Sequence, residues 1–137
     1  MSAAAKIRNG TVLAADTVVF FNGRIFGKPR DMRQAFRMLG ALSGRWHAVV
    51  TAVVLLEVRG SRVVQKVVFV EKTRVKLKEI DRQGMRRYFK RIRPLDKAGA
   101  YAFQSVGVPV VERIQGSPTN IVGLPMEKLK KKLDMLK

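Results

Sequence analysis

Chemistry is first concentrated at an aspartate set among small and β-branched residues, Ala14-Ala15-Asp16-Thr17-Val18-Val19. A carboxylate in such a strand is costly if buried, so Asp16 asks for a task, either holding a divalent cation or acting as base toward water. Lys28 before Pro29, Asp96-Lys97 before Ala98-Gly99, and Gln104 likewise have no evident purpose in a packed core. Lysines near such an acid can neutralise phosphate oxygens, and the set suits phosphoryl chemistry. The same residues also read as a structural Asp–Lys pair with ordinary turn residues. Spacing alone leaves the two readings open.

Other chemistries are excluded by what is missing. There is no cysteine, which removes disulfides, thiolate metal sites and thiol nucleophiles. The single histidine, His47, falls inside a predicted strand and reads as structural, and it leaves histidine triads and multi-histidine metal sites without members. No Walker-type loop or Gly-x-Gly-x-x-Gly occurs, so phosphate would be held otherwise.

The elements that must position these residues follow from periodicity. Thr11 to Phe21 and Arg24 to Phe26 read as antiparallel strands joined at Asn22-Gly23, the strongest short hairpin signal. Met32, Ala35, Phe36, Leu39 and Leu42 recur at helical spacing until Ser43-Gly44. β-Branched runs from Arg45 to Leu56 and from Arg62 to Leu77 predict a long hairpin turning at Gly60-Ser61. Asp81 is placed to cap a helix that Pro94 ends. Ala100 to Phe103 and Val108 to Ile114 read as short strands, Gly116-Ser117-Pro118 as a turn, and Pro125 as the start of a last helix to Leu136. The sum is one α/β domain over residues 1–137 with a mixed twisted sheet and flanking helices.

The chain of 137 residues carries a formal charge of +18. The densest stretch, Lys72 to Arg93, holds ten basic residues against Glu79 and Asp81, and attracts polyanions, nucleic acid and nucleotides alike. Tyr88 and Phe89 within it either stack on bases or, as favoured here, anchor a helix whose charges face solvent. The longest uncharged apolar run, Ala48 to Leu56, falls short of the roughly 20 residues that cross a bilayer. The start has no apolar stretch ahead of its first charge, so a cytoplasmic protein without membrane partners is expected.

Several of these blocks, taken in order, resemble the Maf family of nucleotide pyrophosphatases, whose older name is septum formation inhibitor. They are Ala15-Asp16-Thr17-Val18-Val19, Asn22-Gly23-Arg24-Ile25-Phe26-Gly27-Lys28-Pro29, Leu42-Ser43-Gly44-Arg45 with Val49-Val50-Thr51, and Pro94-Leu95-Asp96-Lys97-Ala98-Gly99-Ala100-Tyr101 with Gln104. Gly116-Ser117, Asn120 and Val122-Gly123-Leu124-Pro125 complete the likeness. The resemblance implies a Maf/inosine-triphosphatase-like α/β fold, and hydrolysis of a nucleoside triphosphate to monophosphate and pyrophosphate with a divalent cation, Mg²⁺ or Mn²⁺. It implies Asp16 as proton acceptor, Lys28 and Lys97 on phosphate oxygens, and Thr17 and Gln104 as choosers of the base. The Asp-Lys-Ala-Gly-Ala-Tyr form resembles the branch acting on dTTP and UTP, and a homodimer is the assembly implied.

Two departures accompany the likeness. The family opens with a strand and a Ser-x-Ser-Pro-Arg-Arg loop that are absent from these residues, so an N-terminally truncated domain with some hydrophobic surface uncovered is expected. Where the family tends to be acidic, this sequence has Arg86-Arg87 and Arg93, and guanidinium groups beside a cation site repel the cation. The alternative function is therefore an inactive relative that binds nucleic acid or nucleotides through Lys72–Arg93.

Overall fold

The computed structural model describes residues 7–103 and 110–136. Strand β1, Gly10–Phe21, turns back into β2, Arg24–Phe26, through Asn22 and Gly23 at φ 51° and 75°. Those angles suit a two-residue type I′ turn, which matches the twist of the strands it joins. Helix α1, Met32–Leu42, starts where the Asp31 carboxylate accepts from the Gln34 N–H at 2.8 Å. Its apolar stripe buries Ala35, Leu39 and Leu42 completely, each leucine worth about 1.5–3 kcal/mol in apolar transfer.

The predicted long hairpin is present as β3, Trp46–Arg59, and β4, Arg62–Leu77. Asp81 caps α2, Arg82–Phe89, through the Gly84 N–H at 2.7 Å. A single 3₁₀ turn at Pro94–Asp96 follows, and then a tight turn at Ala98–Ala100. Strand β5, Val111–Gln115, and helices α3, Pro118–Val122, and α4, Met126–Asp134, complete the described chain.

The strands lie in the order β2-β1-β3-β4-β5, and every neighbouring pair is antiparallel. The α/β class and flanking helices stand, but the sheet is not mixed among the described residues. Both hairpins enforce antiparallel neighbours. The one helical crossover, β2-α1-β3, joins strands that run parallel, but β1 lies between them.

One face of the sheet carries the helices. Val19, Val49 and Val75 pack with Leu39 and Leu42 of α1 and with Met85, Tyr88 and Phe89 of α2. Val53, Leu55 and Phe69 pack with Leu129 and Leu136. On the other face Val12, Leu56 and Val58 form a small cluster that no helical residue joins.

Four expected elements differ. Helix α2 stops at Phe89, its last buried residue, where the Arg91 N–H tightens onto the Tyr88 carbonyl at 2.9 Å. Ala100 to Phe103 is not a strand, because Gly99 and Ala100 take left-handed φ of 72° and 66°. Ser117 does more than turn: its hydroxyl accepts from the Asn120 N–H at 3.2 Å and, with Pro118 in the first turn, starts α3. The strand expected from Val108 begins at Val111, and residues 104–109 lie outside the described residues.

Candidate active site

A cleft of about 420 Å³ opens beside β1, walled by residues 15–17 of that strand, Lys28 after β2, residues 96–98 and 101–103 and the end of α3. It brings together Asp16, Thr17, Lys28 and Lys97, with Asp96 beside them. Gln104 lies outside the described residues. Because β2 pairs only with Val19–Phe21, the rest of β1 has an unpaired outer edge among the described residues. Alternation along the strand turns Thr17 toward the helix-bearing face and Asp16 toward the other, and the cleft takes in both.

Asp16 is exposed, so the burial cost that the sequence threatened is not incurred. Asp16, Lys28, Asp96 and Lys97 make no ion pair with one another; the salt bridges among the described residues, Arg59–Glu57 and Lys76–Glu112, are elsewhere. The structural Asp–Lys pair that spacing left open is therefore absent.

The loop bearing Asp96 and Lys97 is held against the sheet by close packing. A Cβ at Gly99 would lie 2.9 Å from Val19 Cγ2 at a positive φ, so only glycine fits. Gly99 N–H donates to the Gly27 carbonyl at 3.2 Å, next to Lys28, and ties the two lysine-bearing segments together. Ala100, fully buried at φ 66°, adds a strain of about 1–2 kcal/mol that packing must offset.

Beyond it the Tyr101 hydroxyl shares a 2.6 Å hydrogen bond with His47 Nε2, and Ala102 N–H donates to the Tyr88 hydroxyl at 2.8 Å. Burial lowers the His47 pKa to about 4, the Arg45 backbone offsetting a little, and burial pushes the Tyr101 hydroxyl upward with help from Tyr88. His47 is thus a neutral structural anchor for the cleft loop, as its strand position suggested.

Beneath the cleft lies a polar girdle. Thr17 and Thr51 are register partners on β1 and β3, and their hydroxyls meet at 2.8 Å. Thr51 donates to the Asn120 carbonyl at 3.4 Å. The Asn120 amide reaches the Val49 carbonyl at 3.1 Å, the Glu71 carbonyl at 3.2 Å and Thr73 Oγ1 at 3.1 Å. Thr73 in turn donates to the Ser117 carbonyl at 2.8 Å. Sequence reasoning gave Thr51 and Asn120 no function; the signal was an asparagine three residues after a helix-capping serine, legible as a cap motif but not as a clasp across two strands.

Among the described residues no three ligating side chains of His, Cys, Asp or Glu converge, so no all-protein metal cage is present. Asp16 and Asp96 fit the other arrangement, in which Mg²⁺ takes one or two carboxylates and completes its shell with substrate phosphates and water. Arg86, Arg87 and Arg93 do not line the cleft, so the feared guanidinium is not at that site. Tyr88 and Phe89 are buried, which settles them as helix anchors. No helix among the described residues is long and apolar enough to cross a membrane.

Comparison with known proteins matches the Maf-like protein family model to residues 1–136. A dTTP/UTP pyrophosphatase of Thermosipho africanus is 45% identical over 122 residues, covering 89% of this chain and 61% of that protein. One of Carboxydothermus hydrogenoformans is 43% identical over 130 residues, with 95% and 68% covered, and one of Gloeobacter violaceus 46% over 115 residues, with 84% and 58% covered. The chain spans about three fifths of the length of such relatives.

Proposed function

Since the chain belongs to the Maf family, we propose that its cleft hydrolyses dTTP- and UTP-like nucleoside triphosphates to the monophosphate and pyrophosphate, in a cytoplasmic house-cleaning role. One observation carries the reading: four charged side chains from three separate chain segments line a single cleft without neutralising one another. The names of the relatives supply the substrate class.

In this mechanism Asp16 takes a proton from water as the water oxygen attacks the α-phosphorus. The bond from that phosphorus to the bridging oxygen of the β-phosphate breaks, and pyrophosphate leaves with the electron pair. Lys28 and Lys97, on two segments joined by the Gly99–Gly27 hydrogen bond, offset the charge of the triphosphate. Asp96 and one oxygen of Asp16 would hold Mg²⁺ or Mn²⁺, which when bound neutralises charge on the leaving group. Thr17, its hydroxyl fixed by Thr51, and Gln104 contact the base.

The test is pyrophosphate release from dTTP and UTP with Mg²⁺ or Mn²⁺, against an Asp16→Asn control. Release that the control lacks is expected. Equal traces from the two proteins at high concentration would leave the inactive alternative in its place. Sedimentation of the same samples reports whether the chain is the homodimer its family resemblance implies.

A further inference from the structure

Apart from Asp16, the helix-free face of the sheet is a surface that the cleft does not use. One row of register partners crosses all five strands on it, Ile25, Phe20, Ala48, Arg74 and Gln115. The adjoining rows add Trp46 opposite Lys76, and Lys72 opposite Val50. Phe20 and Ile25 stand 43% and 67% exposed, and Lys72 and Arg74 are exposed. Between Phe20 and Trp46 the floor is only Ala48, and a groove of about 470 Å³ runs there beside Lys72 and Arg74. The Arg74 guanidinium lies over the Trp46 ring, 5.1 Å from its centroid, so a cation sits against one face of that ring.

We propose that this face binds single-stranded nucleic acid, with bases stacking on Phe20 and Trp46 and phosphates paired with Lys72 and Arg74. Flat antiparallel sheets with exposed aromatic residues take splayed bases in this manner, and every base has a ring face to offer. At about 4.8 Å between strands the five-stranded row is about 19 Å long, enough for a short run of nucleotides.

Charge decides the occupant. The chain is +18; Glu112 is held by Lys76 at 3.5 Å, Asp16 stands two rows along β1, and Glu71 beside Lys72 turns to the other face. Two copies meeting through this face would set Lys72 and Arg74 against the same cations, whereas a polyanion is complementary. Duplex grooves need an inserted helix or ribbon, which a broad sheet face does not offer. The surface differs from the one expected on Lys72–Arg93 as a whole: only the β4 part of that stretch faces the groove, and its aromatic partners come from β1 and β3.

Trp46 is the sole tryptophan, so its fluorescence reports on the groove directly. Single-stranded oligo(U) and oligo(dT) should quench it and raise the anisotropy of a labelled strand, the stronger of the two naming RNA or DNA. Affinity should fall with salt on a log–log slope of about −1.4 or steeper, two phosphates at about 0.7 each. Phe20→Leu keeps the apolar area and should weaken binding about tenfold, while Phe20→Tyr restores it. The double change Lys72→Gln with Arg74→Gln should flatten the slope by about 1.4 units and change thermal stability by no more than the exposed Arg74 contacts to Trp46 and Gln115 contribute, about 1 kcal/mol.

Inorganic polyphosphate binding as tightly as oligo(U), a duplex binding as tightly as a single strand, or an unquenched Trp46 would overturn the proposal. Displacement of the strand by saturating dTTP would move it into the cleft and overturn it too. None of these outcomes depends on turnover, so loss of pyrophosphatase activity and loss of strand binding are read separately.

Discussion

The rim of the cleft and the polar girdle beneath it meet at consecutive residues of one strand, Asp16 and Thr17, and are physically opposite. At the rim Asp16, Lys28, Asp96 and Lys97 are exposed and make no ion pair among themselves. In the girdle Thr51, Thr73 and Asn120 are buried, and their polar atoms are bonded to one another or to backbone, save Asn120 Oδ1. Charges kept apart in solvent contribute little to folding but meet an incoming triphosphate without first breaking a bond. Buried polar groups contribute nothing to a ligand they cannot touch, yet leave large penalties if their partners go. The two layers should therefore fail in different assays.

The sharpest break is at Asp16. Changing Asp16→Asn should lower turnover about 10²–10⁴-fold, the usual range for a positioned base, while leaving denaturant stability within about 0.5 kcal/mol because the side chain is exposed and unpaired. Turnover and melting curves on the same preparation check this. A large stability loss with little change in turnover would reverse the roles of rim and girdle.

Next in size is Asn120→Ala. Three acceptors, the buried Val49 carbonyl and Thr73 Oγ1 and the partly buried Glu71 carbonyl, lose a shared donor whose side chain is fully buried. At about 1–3 kcal/mol for a buried group left unsatisfied, a loss of about 4 kcal/mol in urea unfolding is expected.

How much of this was legible follows from which interactions are local. Asn22-Gly23, the helical spacing of Leu39 and Leu42, and the Asp81 cap are set by residues a few positions apart, and each appears where the pattern placed it. Rim residues were legible because a polar side chain amid apolar neighbours is conspicuous in one dimension. The girdle was not: Thr51 and Thr73 look like ordinary β-formers, and their contact with Asn120 spans separations of 69 and 47 residues. The missed α3 and the strand wrongly expected at Ala100 share another cause. Both sit at a glycine of positive φ, Gly123 closing α3 as its left-handed cap and Gly99 pressed on Val19.

A third prediction concerns the link between loop and sheet. His47 has its folded pKa lowered to about 4 from 6.5, so between those values the unfolded chain binds the extra proton. Stability is full above about pH 6.5, falls as pH drops toward 4, and levels below it. The swing is at most about 3 kcal/mol at 1.36 kcal/mol per pH unit. Relative to His47→Gln, which cannot titrate, the wild type should lose its advantage across that window. Parallel curves for the two proteins would mean that the ring is protonated without cost.

The smallest effect is expected where rim and girdle touch. Thr51→Val removes one hydroxyl and keeps the volume, so the Thr17 hydroxyl loses its 2.8 Å partner and keeps only the long contact to the Gly123 carbonyl at 3.5 Å. Thr51 also donates to the Asn120 carbonyl at 3.4 Å, so stability should fall by about 1–2 kcal/mol, the net value of two hydrogen bonds, one of them long. If Thr17 helps choose the base, its released hydroxyl should also blur the preference for UTP over CTP several-fold in kcat/KM, with kcat on the better substrate nearly unchanged because Asp16 is untouched. A stability loss with an unaltered UTP-to-CTP ratio would confine Thr51 to the girdle and make the boundary between the layers sharp at the strand itself.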